Sequence, residues 1–263
     1  MKPKFKYIYG PVPSWRLGSS LGIDLLSQEE KICNFDCVYC QIGPIKKYVV
    51  ERKIYVAVEK VIEELGILPG ANIDYITFSG RGEPTLAANL GEAIKAVKLI
   101  RKEPVAVLTN SSLMELDEVR GELTSADFVV AKLDACSSES LQMINKPIRG
   151  IEFGNIVEGI KSFRKSYKGR LALQMMFIGN NRDDVNKLIY LANYIKPDEV
   201  QINTPLRPCG VGALEKKEIL KIKDNFIAFC KGVNVVSAFD ERAAIDVVSL
   251  SDEDTLKRRG KIK

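Results

Sequence analysis

The sequence predicts an α/β fold of parallel strands joined by helical crossovers, closing partly into a barrel or opening as a doubly wound sheet. Three observations carry that expectation. Short apolar runs rich in β-branched residues alternate with amphipathic stretches along the chain. No repeat, linker or low-complexity segment interrupts the alternation. The 263 residues, 46% of them hydrophobic, suffice for a sizeable single core and fall in the size range of an α/β barrel.

Taken in order, the first strand is expected near Leu21–Leu25. Tyr75–Ser79, Val105–Thr109 and Phe128–Leu133 follow at spacings that leave room for a helix before each. Leu90, Ala93, Ile94 and Val97 recur at helical spacing and give one crossover its apolar stripe. A fifth strand is expected over Leu171–Ile178 and a sixth over Val200–Asn203. Val185, Leu188, Ile189, Ala192 and Ile195 mark the helix between them, and Asn181, Asp183 and Asp184 before it suit a helix N-terminus. A further apolar strand falls near Val233–Ser237, and Cys230 joins Phe226 and Phe229 in a helical stripe expected to be core. The alternating strand–helix core occupies about residues 18–205 of a single domain, with 1–17 and 206–263 as extensions.

Composition narrows the function classes. No run approaches the roughly 18 apolar residues of a membrane span, and the start MKPKFKYIYG lacks the apolar region of a secretory signal. A cytoplasmic protein with no membrane partner is expected. The formal charge of +5 sits in the tail, where Lys257, Arg258, Arg259, Lys261 and Lys263 fall in the last seven residues. Taking those five from 39 leaves 34 basic residues against 34 acidic. Such a tail is expected to stay solvated or to touch phosphate.

In either α/β architecture, chemistry belongs at the C-terminal ends of the strands. Cys33, Cys37 and Cys40 follow the first strand in KICNFDCVYCQIG, and SGRGEPTL follows the second. There Gly80 and Gly82 permit close backbone approach to a ligand, and Glu83 offers a carboxylate. The third strand ends in Thr109, Asn110 and Ser111, the fourth in Lys132, Asp134 and Cys136, and the sixth in Thr204, Arg207 and Cys209.

Six cysteines, three of them within eight residues, fit a metal site in a reducing compartment better than disulfides. Zinc suits them poorly, because the chain has no histidine and no second Cys-x2-Cys to close a four-ligand site. A four-iron cube held by only three thiolates leaves one iron free to bind something else. Three cysteines acting as small hydrophobes would not explain their place in a polar loop beside Asn34, Asp36 and Gln41.

The C-x3-C-x2-C spacing with Tyr39 before the last cysteine, followed by Gly82, Glu83 and Pro84 after the next strand, resembles the radical S-adenosylmethionine superfamily. The resemblance implies a partial (β/α)6 TIM-type barrel with a C-terminal extension. It implies a [4Fe-4S] cluster on Cys33, Cys37 and Cys40 whose open iron chelates the amino and carboxylate groups of S-adenosylmethionine. The chemistry implied is reductive cleavage to methionine and a 5′-deoxyadenosyl radical that takes hydrogen from substrate, fed by an electron donor of flavodoxin or ferredoxin type. Histidine is not needed for this. In that picture Glu83 accepts from the ammonium of S-adenosylmethionine, Lys132 beside Asp134 pairs with its carboxylate, and Tyr39 offers a face to adenine. Asn110, Ser111, Gln174 and Asn203 are candidate ribose and carboxylate partners, with ordinary turn or strand roles as the alternative for Asn110, Ser111 and Gln174.

The opening YGPVPSWRLGSSLGID further resembles radical S-adenosylmethionine proteins that read GPVPSRRLG, with Trp15 standing where an arginine is expected. LDACSSESLQMINKPIRG resembles a segment shared with wyosine-base synthases, although Cys209 replaces an expected proline and the extra cysteines of a second cluster are missing. These likenesses imply tRNA as a partner, with Arg16, Lys146, Arg149, Arg207 and the basic tail as candidate substrate contacts. The same chemistry on a protein side chain or small metabolite is the second reading, and an electron-transfer protein the third. Cys136 and Cys209, beyond the fourth and sixth strands, are candidates for a second metal, for substrate chemistry, or for inert packing.

Overall fold

A computed structural model describes residues 5–242, 245–257 and 259–260. Among them, eight strands form one sheet in sequence order, a mixed half-barrel. β1 (Ile8–Ser14) pairs antiparallel with β2 (Gly18–Ile23), and every later pairing is parallel. β3 (Tyr75–Phe78), β4 (Val105–Thr109), β5 (Phe128–Lys132), β6 (Arg170–Met176), β7 (Glu199–Asn203) and β8 (Asn234–Ser237) complete it. The outer helices are α1 (Val58–Gly66), α2 (Leu90–Ile100), α3 (Asp117–Leu123), α4 (Ser138–Ile144), α5 (Phe153–Ser166), α6 (Val185–Ile195) and α7 (Lys216–Phe229), with α8 (Glu253–Lys257) near the end. None is long and apolar enough to cross a membrane.

The expected stripes do the packing. Leu90, Ala93, Ile94 and Val97 are all buried on α2, and Val185, Leu188, Ile189, Ala192 and Ile195 on α6. Inside the sheet, Leu17 from the β1–β2 turn packs on Ala106, Phe128, Val130 and Ala172. That turn lies where the parallel strands begin, since Ser20 pairs with Tyr75, so Leu17 stops the N-terminal end of the half-barrel. The other end is left for chemistry.

Several boundaries differ from the sequence-based expectation. β2 covers Gly18–Ile23 rather than Leu21–Leu25, because pairing starts against Ser14 and Asp24 turns away to accept the N–H of Leu26 at 3.1 Å. β1 falls in a segment expected to be an extension, whereas β8 falls on the further strand expected near Val233–Ser237 and adds a seventh parallel strand to the six. Phe229 is not core: α7 ends there and leaves it 63% exposed, while Phe226 and Cys230 are buried. Asp184 takes the N-cap position of α6 without a side-chain cap bond, whereas Asn181 is bonded to the backbone of Ile178, Asp134 and Met176.

The largest correction concerns the basic tail. Arg258, Lys261 and Lys263 lie outside the described residues, but Arg259 is 1% exposed and points inward. Its Nε meets Asp24 Oδ2 at 3.2 Å, and its other donors reach the carbonyls of Thr255 and Lys6 and the hydroxyl of Ser27. A guanidinium with a buried carboxylate to pair with can go inside, which a count of charges along the chain does not reveal.

Candidate functional site

The cysteine loop leaves β2 and is tied down at several points. The backbone N–H of Asp36 donates to Lys146 O, that of Val38 to Ile144 O, and that of Ile148 to Asn34 O, so the segment after α4 braces the loop. Each cysteine sulfur then has a nitrogen donor aimed at it. Lys31 Nζ is 3.3 Å from Cys40 Sγ, Asn145 Nδ2 is 3.4 Å from Cys37 Sγ, and Asn110 Nδ2 is 3.9 Å from Cys33 Sγ. Burial disfavours the Lys31 ammonium, yet the Cys40 and Cys33 sulfurs outweigh it and raise its pKa. Burial pushes the Cys33 thiol up to about 12 and raises that of Cys37, so these sulfurs ionise at neutral pH only with a strong cation beside them.

The chemistry of this donor set fits an iron–sulfur cluster, whose sulfurs are stabilised by N–H donors and whose ligands are thiolates. Among the described residues no group of three His, Cys, Asp or Glu side chains converges on a single metal ion.

The loop after β3 brings its backbone in beside the cysteines. Ile32 and Gly82 form a parallel bridge, and a Cβ on Gly82 would sit 1.6 Å from the Ile32 carbonyl oxygen. Gly80 has φ +148, and a Cβ there would lie 2.3 Å from Asp24 Cγ. Only glycine fits either place. Glu83 departs from its expected role. Its carboxylate is buried and accepts from Thr85 N (3.1 Å), Thr85 Oγ1 and Thr109 Oγ1 (2.6 Å each) and Asn110 N (2.5 Å). It locks the loop to the end of β4, and Pro84 continues it into a short 3-10 turn.

A cleft of about 630 Å³ opens between these loops and the sheet. Of the expected cofactor residues, Tyr39, Gly80, Gly82, Lys132, Gln174 and Asn203 line it, together with Cys40. Asn203 Oδ1 is buried without a hydrogen-bond partner, an acceptor left for a ligand. Lys132 Nζ lies 4.3 Å from the Tyr39 ring centre and 3.7 Å from Asp134. Asp134, Asn110 and Ser111 do not line the cleft. Asp134 accepts from the Tyr39 hydroxyl, from Asn145 at 3.0 Å and from Met176 N at 2.7 Å, so it holds Tyr39 in place. Asn110 bonds Asn34 at 2.8 Å, and Ser111 donates to the Lys132 carbonyl at 3.0 Å from a left-handed backbone, φ +70.

The expected substrate residues separate into two groups. Arg16 and Arg207 line the cleft. Lys146 and Arg149 are exposed on the brace of the cysteine loop and do not share that opening. Cys136 and Cys209 do not line it either, so they do not meet at a common mouth: Cys136 is capped by Ser140 at 3.8 Å, while Cys209 packs near Tyr39 and Ile178 with its thiol on Val211 O at 3.2 Å. Sequence reasoning passed over Lys31, Asn145, Asp240, Arg242 and the stacking of Trp15, none of which carries a local motif. Arg16 and Arg242 each lie 5.0 Å from the Trp15 ring centre, linking the turn after β1 to the loop after β8 across the two edges of the sheet.

A half-barrel with three donor-assisted thiols and a glycine-built loop over one cleft is the arrangement of a radical S-adenosylmethionine enzyme, and residues 31–192 match the model of the Radical SAM superfamily, to which the chain belongs. Enzymes of this superfamily use a [4Fe-4S] cluster and S-adenosylmethionine. Within it the chain is a UPF0026 protein: it is 42% identical over 209 residues to UPF0026 protein slr1464 of Synechocystis sp., 79% of this chain and 78% of that one. It is also 36% identical to a Brachyspira hyodysenteriae protein named GTPase Obg, over 97% of this chain but only 38% of that protein's length. Probable GTP 3′,8-cyclases of Saccharolobus islandicus are 29% identical over 71% of this chain and 58% of theirs. Among solved structures, a radical SAM methyltransferase from Sphaerobacter thermophilus superposes with TM-score 0.59 at 15% identity, over 83% of this chain and 65% of that one. AdoMet-bound anSMEcpe superposes with TM-score 0.57 at 21% identity, over 80% and 62%. These two likenesses concern the fold.

Proposed function

We propose that this enzyme abstracts hydrogen from a small molecule held inside the cleft, in preference to a base of tRNA. The observation that carries the reading is the cleft itself, which Cys40, Tyr39, Arg16 and Arg207 line together. A tRNA reading, by analogy with wyosine-base synthases, needs a continuous basic rim for phosphates. Lys146 and Arg149 sit elsewhere, and Arg259 is spent on Asp24. The Saccharolobus relatives are named for a reaction of GTP, which is a small molecule.

Cys33, Cys37 and Cys40 would hold the cluster, with Lys31, Asn145 and Asn110 donating to their sulfurs. When bound, cluster and S-adenosylmethionine together supply reductive cleavage of the sulfonium and removal of a hydrogen atom from substrate. Gly80 and Gly82 line the cleft, and their backbone would receive the cofactor's ammonium, since the Glu83 carboxylate is taken up by Thr85, Thr109 and Asn110. Lys132 would pair with the cofactor's carboxylate, and Asn203 Oδ1 would accept from a ribose hydroxyl.

The test is 5′-deoxyadenosine formation by the anaerobically loaded enzyme with a chemical reductant. Addition of a low-molecular-mass cell extract is expected to raise it above the unstimulated rate, and purified tRNA from the same cells is not. Stimulation by tRNA alone, with tRNA affinity falling steeply with salt, would overturn the small-molecule reading.

A further inference from the structure

Four cations line the cleft, and two of them have carboxylates. Lys132 has Asp134 at 3.7 Å and Arg242 has Asp240 at 3.5 Å. Among the described residues no carboxylate comes within ion-pair distance of Arg16 or Arg207. Arg207 Nη1 donates to the neutral Gln41 Oε1 at 3.1 Å, and Arg16 Nε is buried with no hydrogen-bond partner. Burial first, then the charge of Arg207, brings the Arg16 guanidinium down to about 10, and burial lowers that of Arg207 too. Two like charges facing one cleft without a counter-ion cost stability, and the Trp15 ring beside Arg16 and the neutral Gln41 beside Arg207 offset it only in part.

The arginines are also held ready. Arg16 lies over the Trp15 ring at 5.0 Å, as Arg242 does, and the neighbouring Leu17 is anchored in the apolar stop of the half-barrel. A guanidinium held over a ring by cation–π attraction keeps its N–H donors for a ligand.

Taking the small-molecule reading above as its basis, we propose that Arg16 and Arg207 form an anion subsite that receives the phosphoryl group of a small phosphorylated substrate. A phosphoryl dianion matches two guanidiniums in charge and offers three acceptor oxygens to their forks. A carboxylate would neutralise one and leave the other bare. S-adenosylmethionine offers a single carboxylate, with which Lys132 would pair, so it would not neutralise both arginines.

The experiment titrates inorganic phosphate, sulfate and acetate at constant ionic strength into the full-length, cluster-loaded chain, reading heat and thermal midpoint. The variants are Arg16→Gln, Arg207→Gln and, outside the cleft, Lys146→Gln. Phosphate is expected to bind saturably and acetate much more weakly. Losing either cleft arginine weakens phosphate about tenfold or more, as removal of a charged hydrogen-bond partner does, while Lys146→Gln binds as the parent does. Because Arg16 lacks a counter-charge, Arg16→Gln unfolds no earlier than the parent without anion; earlier unfolding would make the residue structural and overturn the proposal. Arg207→Gln supplies the same readout if Arg16→Gln does not fold. Equal phosphate binding in all four proteins, or equal binding of acetate, would also overturn it. So would a matching loss of S-adenosylmethionine affinity in Arg16→Gln, or displacement of phosphate by tRNA with a steep salt dependence. Normal 5′-deoxyadenosine formation without phosphate binding sinks the subsite and leaves the enzyme reading standing. Phosphate binding with no 5′-deoxyadenosine formed does the reverse.

Discussion

Replacing Arg259 with methionine leaves Asp24 as a carboxylate 1% exposed, without the guanidinium that meets it at 3.2 Å. Removing one partner of a buried pair costs about 3–5 kcal/mol. For a chain of this size roughly 2–4 °C of midpoint is lost per kcal/mol, so a fall of about 6–20 °C is expected. The N–H of Leu26 still donates to Asp24 at 3.1 Å, which favours the lower half of that range. Burial raises the Asp24 pKa and Arg259 opposes the rise. Without the arginine the pKa climbs further, so the carboxylate's penalty applies fully above the raised value and disappears as the group protonates at lower pH. Thermal unfolding followed by circular dichroism at pH 7.5 and pH 4.5 therefore gives the larger deficit at the higher pH. Adding Asp24→Asn to Arg259→Met recovers part of it. A midpoint change under about 2 °C at pH 7.5, or a deficit that grows on acidification, would refute the burial of this pair.

Three further outcomes follow from the site. Glu83→Gln leaves an N–H donor facing the backbone N–H of Asn110; it is expected to lose about 1–3 kcal/mol of stability and to weaken S-adenosylmethionine binding by equilibrium dialysis while iron content holds. Gly82→Ala puts a methyl into the Ile32 carbonyl and is expected to abolish cofactor binding in the same assay. Asn145→Ala removes the donor to Cys37 Sγ; iron still loads, but the cluster's midpoint potential shifts, as it does when hydrogen bonds to cluster sulfurs are lost.

What the sequence made legible was local. β4 is a short apolar run that marks burial on both faces and falls where periodicity put it, while β7, EVQIN, alternates Val200 and Ile202 with buried polar residues and starts one residue early. The three cysteines and the GEP loop declare themselves by spacing. β1 was hidden because Pro11 and Pro13 in IYGPVPS argue against a strand, yet an edge strand tolerates the missing donors. Glu83 was placed correctly but misjudged in orientation, since a carboxylate beside glycines reads alike whether it faces a ligand or four internal donors. The Trp15, Arg16, Arg207 and Arg242 group was illegible as a unit, because its members come from opposite ends of the chain and meet only when β1 and β8 stand at the two edges of one half-barrel.

The most direct test of the account is a pair of measurements on one anaerobic sample, iron and sulfide content alongside 5′-deoxyadenosine formed from S-adenosylmethionine under reduction. About four irons and four sulfides per chain, with 5′-deoxyadenosine produced and both lost in Cys33→Ala, Cys37→Ala and Cys40→Ala, is the predicted result. Zinc in place of iron, or a full cluster that leaves S-adenosylmethionine intact under reduction, would contradict it.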